Sequence, residues 1–457
     1  MSVKNKSTVK WIITLLIPLI LYFAIPVTEV LTMPIKMFIV VTMFGILAWM
    51  FELLPAFVTG LVMTILYILT KATDGNTAFM SWTNQIVWLC LSGLLVGAAF
   101  EKTGLMRRIS FSIIKLTGCS YKGVIIGLFL SGIPMCVLLP NLSARVTLYA
   151  FLAVGICRAL DLKPGSSAAA GVMLAGANAA LAARYIIPAS NDDSFLAMTV
   201  TNNVLPMKDY LLKISPLALV MVALMLFLVL KLFKPEQEVN SSEYVNAELQ
   251  KMGKLQGKEL KFLILTLIVV VLMFTNKVPL AWLFVLLACV CFFPGIDILK
   301  AEDMQKVNFP MIIFVATALT IGNVAAALGV GGLVAQAFQT AVAGRTLSNF
   351  VFYPIMWFFG VLFNFVMTPV AATAAFCVPL ASLAEAVGMN VHATLFSFTM
   401  GVEQLIFTYE WAPILFIFSF GMFTTKQFMK YGAVRMAVSL LFMLVIVLPY
   451  WMLVGMV

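Results

Sequence analysis

The sequence predicts an all-α polytopic membrane protein: inverted structural repeats, two re-entrant hairpins and about 11 transmembrane helices. Three observations carry that expectation. The composition is 63% hydrophobic and 11% charged, with a mean hydropathy of +1.07. Soluble globules carry about a quarter charged residues, so only lipid can solvate a surface this apolar. The basic residues, which give a net charge of +10, fall in short loops between apolar runs. That is the positive-inside pattern of a membrane protein rather than the single basic face of a nucleic-acid binder. Finally, the apolar runs thread with that charge bias only if two segments enter and leave the bilayer on one face.

The elements follow in order. MSVKNKSTVK leads into WIITLLIPLILYFAI, read as a retained first helix because the apolar run is long and no small-residue cleavage site follows. Residues 1–80, with apolar runs at 11–31, 36–52 and 54–70, are expected to form N-terminal scaffold helices. Residues 81–232 form a first repeat with runs at 84–100, 123–139, 145–161, 166–187 and 209–232, and with a re-entrant hairpin at 123–161 opening from the inside. The polar stretch KLFKPEQEVNSSEYVNAELQKMGKLQGKELK holds a cytoplasmic linker, 233–261, with some surface helix. Residues 262–457 form a second repeat with runs at 262–275, 279–294, 309–327, 349–367, 370–388, 391–418 and 433–455, and an outer re-entrant hairpin at 349–388. Each run is near or short of the ~20 residues that span a bilayer.

With the N-terminus cytoplasmic, the loops holding Lys102, Arg107, Arg108, Arg158, Lys163, Lys300, Lys306, Lys426 and Lys430 also fall inside, and the C-terminus is external. Irregular backbone at membrane depth survives only when buried in protein or lining a cavity. The hairpin tips are PNLSAR at 140–145 and TPVAAT at 368–373, the residues least suited to lipid. The halves also echo one another: MKDYLLKISPLALVM at 207–221 resembles TKQFMKYGAVRMAVS at 425–439, and TGL at 103–105 answers ALG at 327–329. Repeats of this kind place a midplane site where broken helices meet.

From residue 80 onward the chain resembles the divalent anion–sodium symporter family, whose members carry dicarboxylates, citrate and sulfate. VWLCLSGLLVGAAFEKTGLMRRIS looks like the family's Trp-containing helix and its KTGL–basic turn. Pro140, Asn141 and Leu142 fall on the first Ser-Asn-Thr motif; Pro369, Val370 and Ala371 fall on the second, with Thr373 and Pro379 in register. NAALAARYIIPASN at 178–191 matches the NIGGT…GTPPN segment at its ends, Asn178 and Asn191, and WAPILFIFSFG at 411–421 matches the second TPPN region through Pro413 and Gly421. Only Asn141 keeps a Ser-Asn-Thr signature residue. In the family the Ser-Asn-Thr motifs contact substrate carboxylates and help enclose sodium. The resemblance implies a homodimer in which each protomer carries its hairpin domain across the membrane as an elevator.

The substrate site is therefore expected at Asn141, Ser143, Arg145, Asn178, Arg184, Asn191, Thr368 and Thr373. Arg145 and Arg184 can bind a carboxylate, phosphate or sulfate through paired charge-assisted hydrogen bonds. The alternatives are structural: Arg145 with a glutamate or reaching to the interface, and Arg184 with Asp192. Glu403 and Glu410, seven residues apart, would share a helical face. They could carry a coupling proton, pair statically with the arginines, or contact a cationic part of the solute. Gln404, Thr408 and Tyr409 lie beside them. Asp192 and Asp193 are expected in an external loop, with contact to the site as the alternative.

The expected function is secondary transport of a small organic anion, coupled to H⁺ rather than Na⁺ or working by exchange, in the cell membrane. The alternative is the same scaffold carrying a sulfonate, an inorganic anion or a zwitterionic, amino-acid-like compound, with sodium coupling left open. No cofactor, metal or nucleic-acid partner is expected; the partners are the solute, the bilayer and a second copy. The seven cysteines form no CxxC pair, the lone His392 reads as structural, and no GxxxxGK[ST] motif is present. An enzyme is accordingly not expected.

Overall fold

A computed structural model of the chain describes residues 3–51, 53–139, 141–236, 240–275, 277–330, 333, 348–365 and 368–457. The first helices are α1 (Val3–Ala24), α2 (Met33–Met50), α3 (Ala56–Leu69) and the short α4 (Gly75–Phe79). After them come α5 (Gln85–Thr103), α6 (Leu105–Thr117), the pair α7 (Tyr121–Leu138) and α8 (Leu142–Ala159), then α9 (Ser167–Leu181), α10 (Asp192–Val200), α11 (Met207–Lys213) and α12 (Ser215–Leu232). The linker holds α13 (Ser242–Met252) and leads to α14 (Gly257–Phe274), α15 (Leu280–Val290) and α16 (Phe309–Ala327). A second pair, α17 (Asn349–Asn364) and α18 (Pro369–Ala386), precedes α19 (Val391–Val402), α20 (Ala412–Ser419), α21 (Thr425–Phe442) and α22 (Leu448–Leu453).

The fold is all-helical among the described residues. Among the described residues eight helical stretches are long and apolar enough to cross a membrane, three of them (75–103, 207–232 and 425–453) joining consecutive named helices, and further apolar helices are shorter. The short ones matter most, because they are where the chain breaks.

The two halves repeat one order of elements: a helix pair, a helix that stops early, an irregular segment, then a short helix. In each half both arms of the pair pack against the helix that follows, α7 and α8 on α9, and α17 and α18 on α19. Glycine makes both crossings possible. A Cβ on Gly132 would lie 2.1 Å from the Ala179 carbonyl oxygen, and one on Gly401 would lie 1.9 Å from that of Trp357. The backbones therefore touch where any side chain would hold them apart.

The runs 166–187 and 391–418 are not continuous helices. Helix α9 ends at Leu181 and α19 at Val402. Apolar residues resume after each break, at Ile186 and Ile187 and at Leu405 and Ile406, so each segment reads as one continuous run. In the second break polar side chains take over the backbone groups: the Glu410 carboxylate accepts from the Ile406 N–H at 2.8 Å, and Asn364 donates to the Gln404 carbonyl at 2.9 Å. Local bonds of this kind replace helical ones. One consequence corrects the sequence reading: Glu403 and Glu410 do not share a helical face, because no helix joins them.

At the first tip, α8 starts at Leu142 rather than 145, since Asn141 caps it and accepts from the Ala144 N–H at 2.8 Å. The tip residue Pro140 lies outside the described residues, as do 366 and 367 at the second tip. In the linker, α13 docks on α6. Arg107 reaches Glu248 and Arg108 reaches Glu259, each at 2.6 Å, and Arg108 also donates to the carbonyls of Met252 and Gly253. Lys102 pairs with Asp303 at 2.6 Å, so the basic turn at 101–108 is anchored by ion pairs.

Candidate functional site: a cavity at converging helix N-termini

A cavity of about 430 Å³ lies between the two helix pairs and the two breaks. Five helices begin on its wall. Asn141 and Ser143 bring the start of α8, Asp192 and Asp193 that of α10, and Asn308 that of α16. Thr368 brings the start of α18, and Trp411 with Pro413 that of α20. Each helix N-terminus exposes unpaired N–H groups and about half a positive charge. Among the described residues no Lys, Arg or His lines this cavity. Among the described residues the charged side chains on its wall are Asp192 and Asp193, and the positive ends that meet there are backbone helix starts.

Sequence encodes these starts locally. Asn141 and Asn308 are N-caps, and Asn191 caps α10 by accepting from the Asp193 and Ser194 N–H groups at 3.1 and 3.2 Å. Asn and Asp are favoured there because the side-chain oxygen satisfies an orphan donor.

Beside the cavity sits a buried charge cluster. Glu403, 3% exposed, accepts from Arg184, from the Tyr185 hydroxyl at 2.6 Å and from Asn191 Nδ2 at 2.7 Å. Three donors from the first break thus converge on one carboxylate from the second, joining the halves at mid-protein. Arg184 pairs with Glu403 and not with Asp192.

Asn191 serves both the cap and the cluster. Asn191→Ala is expected to cost about 2 kcal/mol, one cap plus one charge-assisted bond, read as a lowered thermal midpoint. Asn191→Asp keeps the cap but sets a carboxylate against Glu403, and is expected to be worse than alanine. The opposite order would show that Glu403 is not held through Asn191.

The remaining expected site residues separate. Asn141, Ser143 and Thr368 line the cavity. Arg145 does not: it is fully buried, and its guanidinium donates to the Leu139 carbonyl at 2.6 Å and to the Ser190 carbonyl. It thereby ties the first tip to the first break. Asn178 donates to the Leu174 carbonyl at 2.7 Å and accepts from the Tyr431 hydroxyl at 2.8 Å, linking α9 to α21. Thr373 is buried on α18, and its hydroxyl has no partner among the described residues. Glu410 is held in the second break, away from the cavity wall. The Tyr409 side chain lies outside the described residues.

Asp192 and Asp193 are the residues the sequence reading misplaced. They are not in an external loop but form the first turn of α10, where Asp193 is 4% exposed. The signal was present: an Asn cap followed by acidic residues marks a helix start. Tyr185, Tyr431 and Asn308 were also overlooked, because an isolated tyrosine or asparagine has no local pattern.

Membrane-crossing helices, a repeated order of elements and broken helices around one polar cavity define a class, the polytopic membrane proteins whose site is built from helix ends. A family profile described as "Sodium:sulfate symporter transmembrane region" matches residues 5–457. The chain belongs to that family and is a multi-pass integral membrane protein.

A protein described as "Membrane protein" from Cupriavidus necator is 23% identical over 281 residues, 56% of this chain and 54% of that one. "Sodium-dependent high-affinity dicarboxylate transporter 3" of Caenorhabditis elegans is 32% identical over 79 residues, 17% of this chain and 14% of that one. "Dicarboxylate transporter 2, chloroplastic" of Spinacia oleracea is 26% identical over 155 residues, 34% and 27% of the two chains. The chain thus spans about half the length of the first of these relatives and less of the others. Among solved structures, the YdaH transporter of Alcanivorax borkumensis superposes with a TM-score of 0.57 at 15% identity, over 81% of this chain and 85% of that one. That likeness is one of fold.

Proposed function

We propose that the protein is a secondary active transporter of a small anion, with dicarboxylates the first class to test. The carrying observation is the meeting of five helix N-termini on one cavity of about 430 Å³. Helix N-termini hold carboxylate, sulfate or phosphate through backbone N–H groups and the dipole. Family membership and the names of the two dicarboxylate transporters point the same way.

On this reading the arginines position rather than bind. Arg145 fixes the first tip and Arg184 fixes the break, while Asn141, Ser143 and Thr368 meet the solute beside the helix ends. The helix pairs at 123–161 and 349–388 act as re-entrant hairpins, and they move with α9, α10, α19 and α20 as an elevator within a homodimer. Residues 1–80 and the linker belong to the static part, and the N-terminus faces the cytoplasm of the cell membrane. Coupling is to protons in preference to sodium, since the second Ser-Asn-Thr position holds Pro369, Val370 and Ala371, which offer no side-chain oxygen.

The test is uptake of labelled succinate and sulfate into proteoliposomes, with and without Na⁺ and with an imposed pH gradient. Succinate uptake driven by the proton gradient alone is expected. Thr368→Trp, which adds bulk to the cavity wall at the second tip, should lower uptake to near background while the protein stays monodisperse. Unchanged uptake would remove the cavity from the transport path.

A second reading has one specific observation behind it. Asp192 and Asp193 on the wall suit a zwitterion whose amine meets a carboxylate while its acid group meets the helix ends. Competition of succinate uptake by glutamate or taurine separates the two.

A further inference from the structure

An anion-attracting cavity that also carries two aspartates poses an electrostatic problem. Asp192 has a balancing charge: Arg145 is the cation that acts on it most strongly, and α8 begins beside it. Asp193 has less. Its Oδ1 is buried without a hydrogen-bond partner among the described residues, and no ion pair to it occurs there. Glu403 and Asp192 act on it with like sign, and the one opposing cation, Arg184, is already bonded to Glu403.

The helices packed around α10 add little. Helix α18 faces Asp193 with Cys377, and Thr373 one turn earlier on the same face has an unpartnered buried hydroxyl. Helix α19 brings Thr399, bonded to Ser194, with Glu403 following its last turn and His392 at its far end. Cys90 of α5 acts on Asp192 rather than on Asp193. Helix α16 and the short turn Pro188–Ser190 carry no titratable side chain. A buried carboxylate whose Oδ1 lacks a donor, whose one opposing cation is bonded to another acid and whose other charged neighbours are negative is favoured in its neutral form.

We propose that Asp193 is the proton-carrying group of this transporter, binding H⁺ on the cavity wall as the anion binds. The inference rests on the anion-transport reading and deepens it. An O–H bond forms on the Asp193 carboxylate with a proton taken from cavity water, and breaks when the cavity faces the other side. No other bond changes. The neutral carboxylic acid no longer repels an anion held at the neighbouring helix ends, so each ligand raises the affinity for the other by one common factor. Glu403, already satisfied by three donors, and Glu410, off the cavity wall, are left as structural carboxylates.

Two measurements on the purified full chain test this. Infrared difference spectra between high and low pH should show the C=O stretch of a protonated, buried carboxylic acid. Asp193→Asn should delete that band and Asp193→Glu should return it, shifted. In proteoliposomes, succinate exchange by the wild type should rise as pH falls. The exchange that remains in Asp193→Asn should not respond to pH, and Asp193→Glu should regain the response. A band that persists in Asp193→Asn, or a pH response that survives it, overturns the proposal. Acceleration by Na⁺ at fixed pH that Asp193→Asn abolishes also overturns it, in favour of a metal cation at the same carboxylate. If the wild type moves no succinate but the band is still deleted by Asp193→Asn, the proton site stands and the dicarboxylate reading falls.

Discussion

Arg184→Met is expected to lower stability by about 3–5 kcal/mol, the cost of stranding a buried partner charge. Glu403 would keep Tyr185 and Asn191 as donors but lose the only cation bonded to it among the described residues. The damage should be largely repaired by adding Glu403→Gln, because a neutral amide needs no counter-charge there. Heat unfolding of the detergent-solubilised protein, followed by tryptophan fluorescence, gives the order: wild type, then the double variant, then Arg184→Met. A double variant no more stable than Arg184→Met would show that the two side chains do not act as a pair. Because these residues join the first break to the second, the same variants should also slow transport.

The second large effect is steric. Gly401→Val is expected to prevent the correctly folded state from accumulating, since even a Cβ would sit 1.9 Å from the Trp357 carbonyl oxygen and 3.0 Å from Gly360 Cα. Both neighbours are backbone, so no rotamer change relieves the overlap, and α17 and α19 must separate. Overpacking a core commonly costs about 1–3 kcal/mol where side chains can give way; here they cannot. Gly75→Val is the comparison, with nothing within 4 Å of its added Cβ. Size-exclusion profiles of the two variants expressed in parallel decide the matter. A monodisperse Gly401→Val protein would mean that the α17–α19 crossing is looser than described.

How far the site could be read in advance depended on the kind of interaction. Asn141, Ser143 and Thr368 were legible as cavity residues because polar side chains at a tip in an apolar chain have few other uses. Glu403 and Arg184 were legible as functional candidates for the same reason, a charge placed at membrane depth. Their partnership was not, since the two are far apart in sequence and meet only when the halves cross. Arg145 shows the limit most clearly. A guanidinium in an apolar chain suggests an anion, yet its observed bonds go to the backbone carbonyls of Leu139 and Ser190, acceptors that no side-chain pattern can display.

What the sequence determined by itself was the solvent and the helical class. Those follow from composition, apolar run length and loop charge, which are sums over neighbours in the chain. The tertiary structure alone decided that α9 and α19 stop early, that five helix starts surround one space, and that Asp193 faces it from within the protein. Such facts depend on which backbone ends are brought together, and a helix end points its dipole wherever packing aims it.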